Sequence, residues 1–68
     1  MDDIRARLAR NLRKLRRERG LTQEAFAHEA GMHRTYISDL ELGTRNPSIV
    51  IIERLARALG VSAGELLD

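Results

Sequence analysis

Apolar side chains recur along the chain with the period of a helix, and each periodic stretch is bracketed by residues that start or stop one. Ile4, Leu8, Leu12 and Leu15 fall at i, i+4, i+8 and i+11, an amphipathic pattern that Gly20 closes from a C′ position. Thr22 has the chemistry of an N-cap for a second helix, and Leu21 and Phe26 stand around it at the spacing of a hydrophobic staple. Gly31 ends that helix. Met32 and Ile37 repeat the staple spacing around His33, so a third helix starts at Arg34 and runs to Leu42, where Gly43 supplies a left-handed stop. Pro47 and Ser48 open a fourth helix, Ile49 to Leu59, ended by Gly60. Ser62 and Glu65 form a capping box for a last short turn, Ala63 to Leu67. The β-branched run IVII at 49–52 lies between a cap and a Leu55–Ala56–Leu59 stripe, which assigns it to helix. No strand pattern, repeat or linker appears. The expected fold is all-α, a compact bundle of five short helices.

The second and third helices are joined by a turn of a few residues centred on Gly31. Short helices so joined, over about 23–42, suit a helix-turn-helix whose second helix can enter a DNA major groove. The third helix has two unlike faces. At about 100° per residue, Ile37 and Leu40 point to one side, and Thr35, Ser38, Asp39 and Leu42 to the other. Arg34 flanks the second group at the N-terminal end. Short polar groups with one long Arg at the tip can approach base edges closely, and Arg34 can fork onto guanine O6 and N7. Asp39 is the odd member, since a carboxylate there repels phosphates. Accepting from a cytosine amino group, orienting Arg34, and tuning against non-specific binding all remain open for it.

Composition narrows the classes. Sixty-eight residues make one domain at most, with a small core and marginal stability. The chain has no Cys, so neither a disulfide framework nor a thiolate metal site is expected. Aromatics are limited to Tyr36 and Phe26, which leaves the core to Leu, Ile, Val and Ala. No apolar run approaches the ~20 residues of a membrane span, and no basic-then-apolar leader precedes a cleavage site. An intracellular, cytoplasmic protein with no membrane partner is expected. Net charge is only +2, but residues 1–20 carry eight of the twelve bases against three acids. Residues 21–68 carry four bases against seven acids. A basic first helix is either a contact for phosphates or a solvated face. Eleven of the twelve bases are Arg, whose planar fork suits phosphates and guanine edges.

An enzyme is not expected. His28, Glu29 and His33 suggest a metalloprotease motif, but that motif needs its histidines at i and i+4, and Gly31 intervenes here. Glu24 and His28 read better as a surface pair. No phosphate loop, nucleophile elbow or cofactor fingerprint is present. No catalytic residue, metal, cofactor or small-molecule ligand is therefore assigned.

The stretch GLTQEAFAHEAGMHRTYISDLELGTRNPSI resembles the lambda-repressor and Cro type of helix-turn-helix, also called the xenobiotic-response-element family. The likeness runs from Gly-Leu-Thr-Gln-Glu, through Ala and Gly in the turn, to apolar-Ser-x-apolar-Glu-x-Gly, a basic loop, Pro-Ser and a final ALGV. It spans roughly residues 8–66 and implies a lambda-repressor-like, sequence-specific regulator of transcription that binds double-stranded DNA. By that resemblance Gln23 contacts phosphate and base, beside N–H groups of a helix terminus that favours an anion. His33, Arg34, Thr35, Ser38 and Asp39 fall on groove-reading positions. Thr22, Tyr36, Arg45 and Asn46 fall on backbone-contacting ones. Arg16 and Glu41 match a structural pair linking the first and third helices, with Arg16 also a candidate for phosphate. His33 departs from the family, which caps the third helix with Ser, Thr or Asp; a poorly capping imidazole is left free to meet DNA. The HRTYIS…E…RN run is also similar to controller proteins of restriction–modification systems, and short phage-type repressors share much of the pattern.

Two expectations concern partners. A single reading helix covers few bases, so a homodimer on a (pseudo)palindromic operator is expected, its surface formed within about 49–68. Val50 and Ile51 point away from the Ile52–Leu55–Ala56–Leu59 stripe, and Leu66 and Leu67 crowd a terminal turn too short to bury both. The alternative is that the chain end folds over them and the protein stays monomeric. The other class in play is an antitoxin or a protein-bridging adaptor of the same fold, which need not keep Gln23, Arg34, Thr35, Arg45 and Asn46.

Overall fold

A computed structural model describes residues 3–68 and contains five helices: α1 (Ile4–Glu18), α2 (Gln23–Ala30), α3 (Arg34–Leu42), α4 (Ile49–Leu59) and α5 (Ala63–Leu67). Local chemistry sets their ends. Asp3, Thr22, Ser48 and Ser62 each accept a backbone N–H of the first turn through a side-chain oxygen, which satisfies a donor that the helix itself leaves open. The capping box of α5 closes in both directions: Glu65 N–H donates to Ser62 Oγ at 3.2 Å, and Ser62 N–H to Glu65 Oε2 at 2.8 Å. His33 occupies the N-cap of α3 and makes no such bond.

The core gathers Leu8 and Leu12 of α1, Phe26, Ala27 and Ala30 of α2, Ile37 and Leu40 of α3, the Ile52–Leu55–Ala56–Leu59 stripe of α4, and Leu66 of α5. Burying a Leu, Ile or Phe side chain contributes roughly 1.5–3 kcal/mol, and this list is long for so short a chain. Helix α1 packs on α3 and α5, α2 on α3 and α4, and α4 on α5. Helix α3 is thus supported from behind by α1 and α2, and its outer face is left open. No helix among the described residues is long and apolar enough to cross a membrane.

Four apolar positions lie where the linear pattern did not put them. Leu66 is 0% exposed and forms no part of an outward surface, which corrects its assignment to the dimer interface. The reason is that α5 folds back on α1, where Asn11 Nδ2 donates to Leu66 O at 3.0 Å and Arg7 Nε to Leu67 O at 3.2 Å. Side chains of α1 thereby satisfy carbonyls that one helical turn cannot. Leu67 and Ile51 are half-buried against the core. Ile4, first in the α1 stripe, is exposed. The outward apolar surface sits instead at the start of α4, where Ile49 is 84% and Val50 65% exposed. Ile49 borders a shallow apolar cavity of about 230 Å³ shared with Ile4, Leu8, Pro47 and Leu67.

Candidate nucleic-acid interface

Helix α3 is nine residues long, about 13 Å at 1.5 Å per residue. Ile37, Leu40 and Glu41 are buried, whereas Arg34, Thr35 and Leu42 are exposed and Ser38 and Asp39 half-buried. The orientation is anchored by the buried carboxylate. Arg16 Nε donates to Glu41 Oε2 at 2.6 Å and Arg16 Nη2 to Glu41 Oε1 at 2.9 Å, a bidentate pair between α1 and α3. Arg16 Nη1 donates to Leu21 O at 2.7 Å, and Gln23 Nε2 donates to Glu41 Oε1 at 3.2 Å. One carboxylate therefore ties α1, the start of α2 and α3 together. Its hydrogen bonds raise the pKa of Arg16 above the ordinary guanidinium value, against the opposing effect of burial. The structure corrects one assignment here. Arg16 is buried with its donors spent on Glu41 and Leu21, and it does not face outward to a phosphate.

The turn between α2 and α3 is pinned from the opposite side. Gly31 adopts φ +68°, a left-handed conformation that L side chains rarely adopt. Arg54 Nη2, reaching over from α4, donates to Ala30 O and Gly31 O at 3.0 Å each. A Cβ at position 31 would stand 3.1 Å from that same nitrogen. Arg54 escaped the sequence reading because an Arg on the polar side of an amphipathic helix looks solvated. Only the fold brings it to the open carbonyls of α2.

With the helix and its turn held, the outward groups cluster. His33, Arg34 and Thr35 are exposed at the N-terminal end of α3. Arg34 shares an open groove with His33, His28 and Glu24 of the α2 side. At the other end, the loop after Gly43 is folded onto Asp39. Asp39 O accepts from Thr44 N–H and from Thr44 Oγ1, both at 3.1 Å. Arg45 Nε donates to Asp39 Oδ2 at 3.2 Å, and its guanidinium lies 5.3 Å from the Tyr36 ring centroid. Of the roles considered for Asp39, orienting an arginine is realised with Arg45 and not with Arg34. Asn46 is exposed beside this cluster. Thr22 uses its hydroxyl as the cap of α2, accepting from Ala25 N–H at 3.0 Å.

The basic first helix proves less uniform than its charge count. Arg5 pairs with Asp3 at 2.9 Å, Arg7 holds α5, Arg16 holds Glu41, and Arg19 Nη1 donates to Ala58 O at 3.0 Å. These four bases of the segment are therefore engaged within the chain. Lys14 and Arg17 remain exposed on the face away from the core.

The family model for Helix-turn-helix (HTH_3) matches residues 12–66, which includes both anchoring pairs and the whole outward face of α3. The chain belongs to the helix-turn-helix family. Its relatives are transcriptional regulators. Control protein C.BamHI of Bacillus amyloliquefaciens is 44% identical over 68 residues, covering 98% of this chain and 84% of that protein. The crystal structure of the restriction–modification controller protein C.AhdI from Aeromonas hydrophila superposes with a TM-score of 0.87 at 40% identity, covering 91% of this chain and 94% of that one. SinR, a master regulator for biofilm formation solved in complex with DNA, superposes with a TM-score of 0.85 at 32% identity over 90% of this chain and 98% of its own. Within this helix-turn-helix, α2 is the supporting helix and α3 the one whose polar face is free.

Proposed function

We propose that the protein is a regulator that binds double-stranded DNA in a sequence-specific manner, laying α3 in the major groove. The observation that carries the reading is the open face of α3, with Arg34 and Thr35 exposed while Glu41 and Arg16 lock its other side. A B-form major groove is about 12 Å wide and admits one such helix. In this reading His33, Arg34, Thr35, Ser38 and Asp39 meet base edges. Thr22, Gln23, Tyr36, Arg45 and Asn46 lie along the backbone. The protein binds and does not catalyse, and it acts on the nucleoid in the cytoplasm. The near full-length likeness to C.BamHI and C.AhdI favours a controller protein within the family.

Two copies act together. Half-sites one helical turn apart are about 34–36 Å between centres, and this domain, with a longest extent of 31 Å, carries one reading helix. The start of α4 supplies the apolar contact, with Val50 and Ile49 outermost. Selection of bound sites from a random duplex pool, followed by mobility shifts, tests the binding. A two-fold related consensus is expected, and failure to shift any duplex at low salt would favour the protein-bridging adaptor. Sedimentation equilibrium tests the dimer: Val50→Asp, on an exposed site that spares the core, is expected to give a monomer that binds its operator more weakly.

A further inference from the structure

The cluster at the end of α3 contains a contradiction. A carboxylate on a surface that meets a polyanion is repelled by it, and here that carboxylate also engages the base best placed to bind phosphate. The contacts are specific. The loop is fastened to the Asp39 carbonyl by Thr44 through two hydrogen bonds of 3.1 Å. The Asp39 side chain takes Arg45 Nε at 3.2 Å, and the Tyr36 ring backs the guanidinium at 5.3 Å. Asp39 is the more buried partner and Arg45 the more exposed, so the guanidinium is free to swing while the carboxylate is not.

Resting on the DNA-binding reading above, we propose that Asp39 couples base readout to the Arg45 phosphate contact. In the free protein and on random DNA, Arg45 stays on Asp39. Releasing it there would leave a bare carboxylate facing the phosphates, with no donor in exchange. On a site that offers a cytosine amino group to Asp39, that N–H donor replaces the guanidinium. Arg45 then turns to the backbone, and the two contacts form together or not at all. Asp39 is in this account a positioning residue for Arg45 as well as a reader. Its effect is to withhold one cation per subunit from non-specific DNA.

Asp39→Asn tests this, because it keeps the shape and the carbonyl that holds Thr44 while removing the charge. Four proteins are compared on a random-sequence duplex and on the selected site across a salt series: wild type, Asp39→Asn, Arg45→Ala and the double variant. Asp39→Asn is expected to tighten random-duplex binding roughly fivefold per subunit, the worth of an exposed ion pair of about 1 kcal/mol. It is also expected to steepen the log–log salt slope on random DNA by about 0.9 per subunit, the counterion released by one more phosphate contact. The gain should vanish in the Arg45→Ala background, and the selected consensus of Asp39→Asn should lose its cytosine. An unchanged random-duplex affinity and slope, or a gain that persists without Arg45, would overturn the coupling. The Arg45 Nε–H resonance gives a readout without DNA: slow exchange is expected in wild type and fast exchange in Asp39→Asn. Equal exchange in the two refutes the closed pair. Loss of all wild-type binding to either duplex refutes the DNA-binding reading itself.

Discussion

Replacing Glu41 by Ala should unfold much of this protein, and the structure says why. Glu41 accepts three hydrogen bonds, two from Arg16 at 2.6 and 2.9 Å and one from Gln23 at 3.2 Å. Arg16 and Glu41 are both buried. Removing the carboxylate leaves a guanidinium enclosed between α1 and α3 with Leu21 O as its remaining acceptor. Breaking a buried pair from one side costs about 3–5 kcal/mol. At roughly 0.05–0.15 kcal/mol per residue, a domain of this length has only about 3–10 kcal/mol in total. Each kcal/mol shifts the melting temperature of so small a domain by about 4–8 °C, so a drop of roughly 12–40 °C is expected in thermal unfolding followed by circular dichroism. The double variant Arg16→Met, Glu41→Leu should recover most of that loss, because a matched apolar pair leaves no charge stranded. A single-variant loss below about 1 kcal/mol, the range of an exposed ion pair, would refute the argument. So would a double variant no more stable than Glu41→Ala.

Leu40→Ala should cost about 2–5 kcal/mol by opening a cavity beneath α3, since Leu40 is buried against the core; an unmoved denaturation midpoint would contradict its packing. Arg34→Ala should relax base preference at one position per half-site at a cost of about 1–3 kcal/mol, read by repeating the site selection; equal loss on random and selected DNA would make Arg34 a phosphate contact. The N-cap of α1 should be pH-dependent. Hydrogen bonds from the Arg5 side chain and backbone hold the Asp3 carboxyl down from 3.8 to about 2. The stabilisation is therefore complete above about pH 4 and lost as pH falls toward 2. Protection of the first-turn amides of α1, taken relative to their intrinsic exchange rates, should fall over that window in wild type and stay flat in Asp3→Asn.

Much of the fold was legible locally because the determinants are local. A hydroxyl at position 22, 48 or 62 and a glycine at 31, 43 or 60 act within one turn of the chain, and the limits of α2 to α5 follow from them except the start of α3 and the end of α5. The inward positions of α3 and α4 follow from period alone. The outward face of α3 was legible for the same reason: it is the complement of Ile37 and Leu40.

Distances between elements were not legible. Whether Leu66 is covered depends on α5 lying against α1, and nothing in residues 62–68 states where α1 is. Arg7, Arg16, Arg19 and Arg54 carry the same charge as the solvated Arg17, yet each finds a carbonyl or carboxylate on another segment. Only the resemblance pointed to Arg16–Glu41, across 25 positions; periodicity and spacing did not. Asp39 took Arg45 over Arg34 because the loop after Gly43 doubles back, and six residues of separation are then closer in space than five. Long, flexible arginines choose partners by what the completed fold leaves unsatisfied. In this protein the caps and periods wrote the helices, and the packing decided which charges face outward.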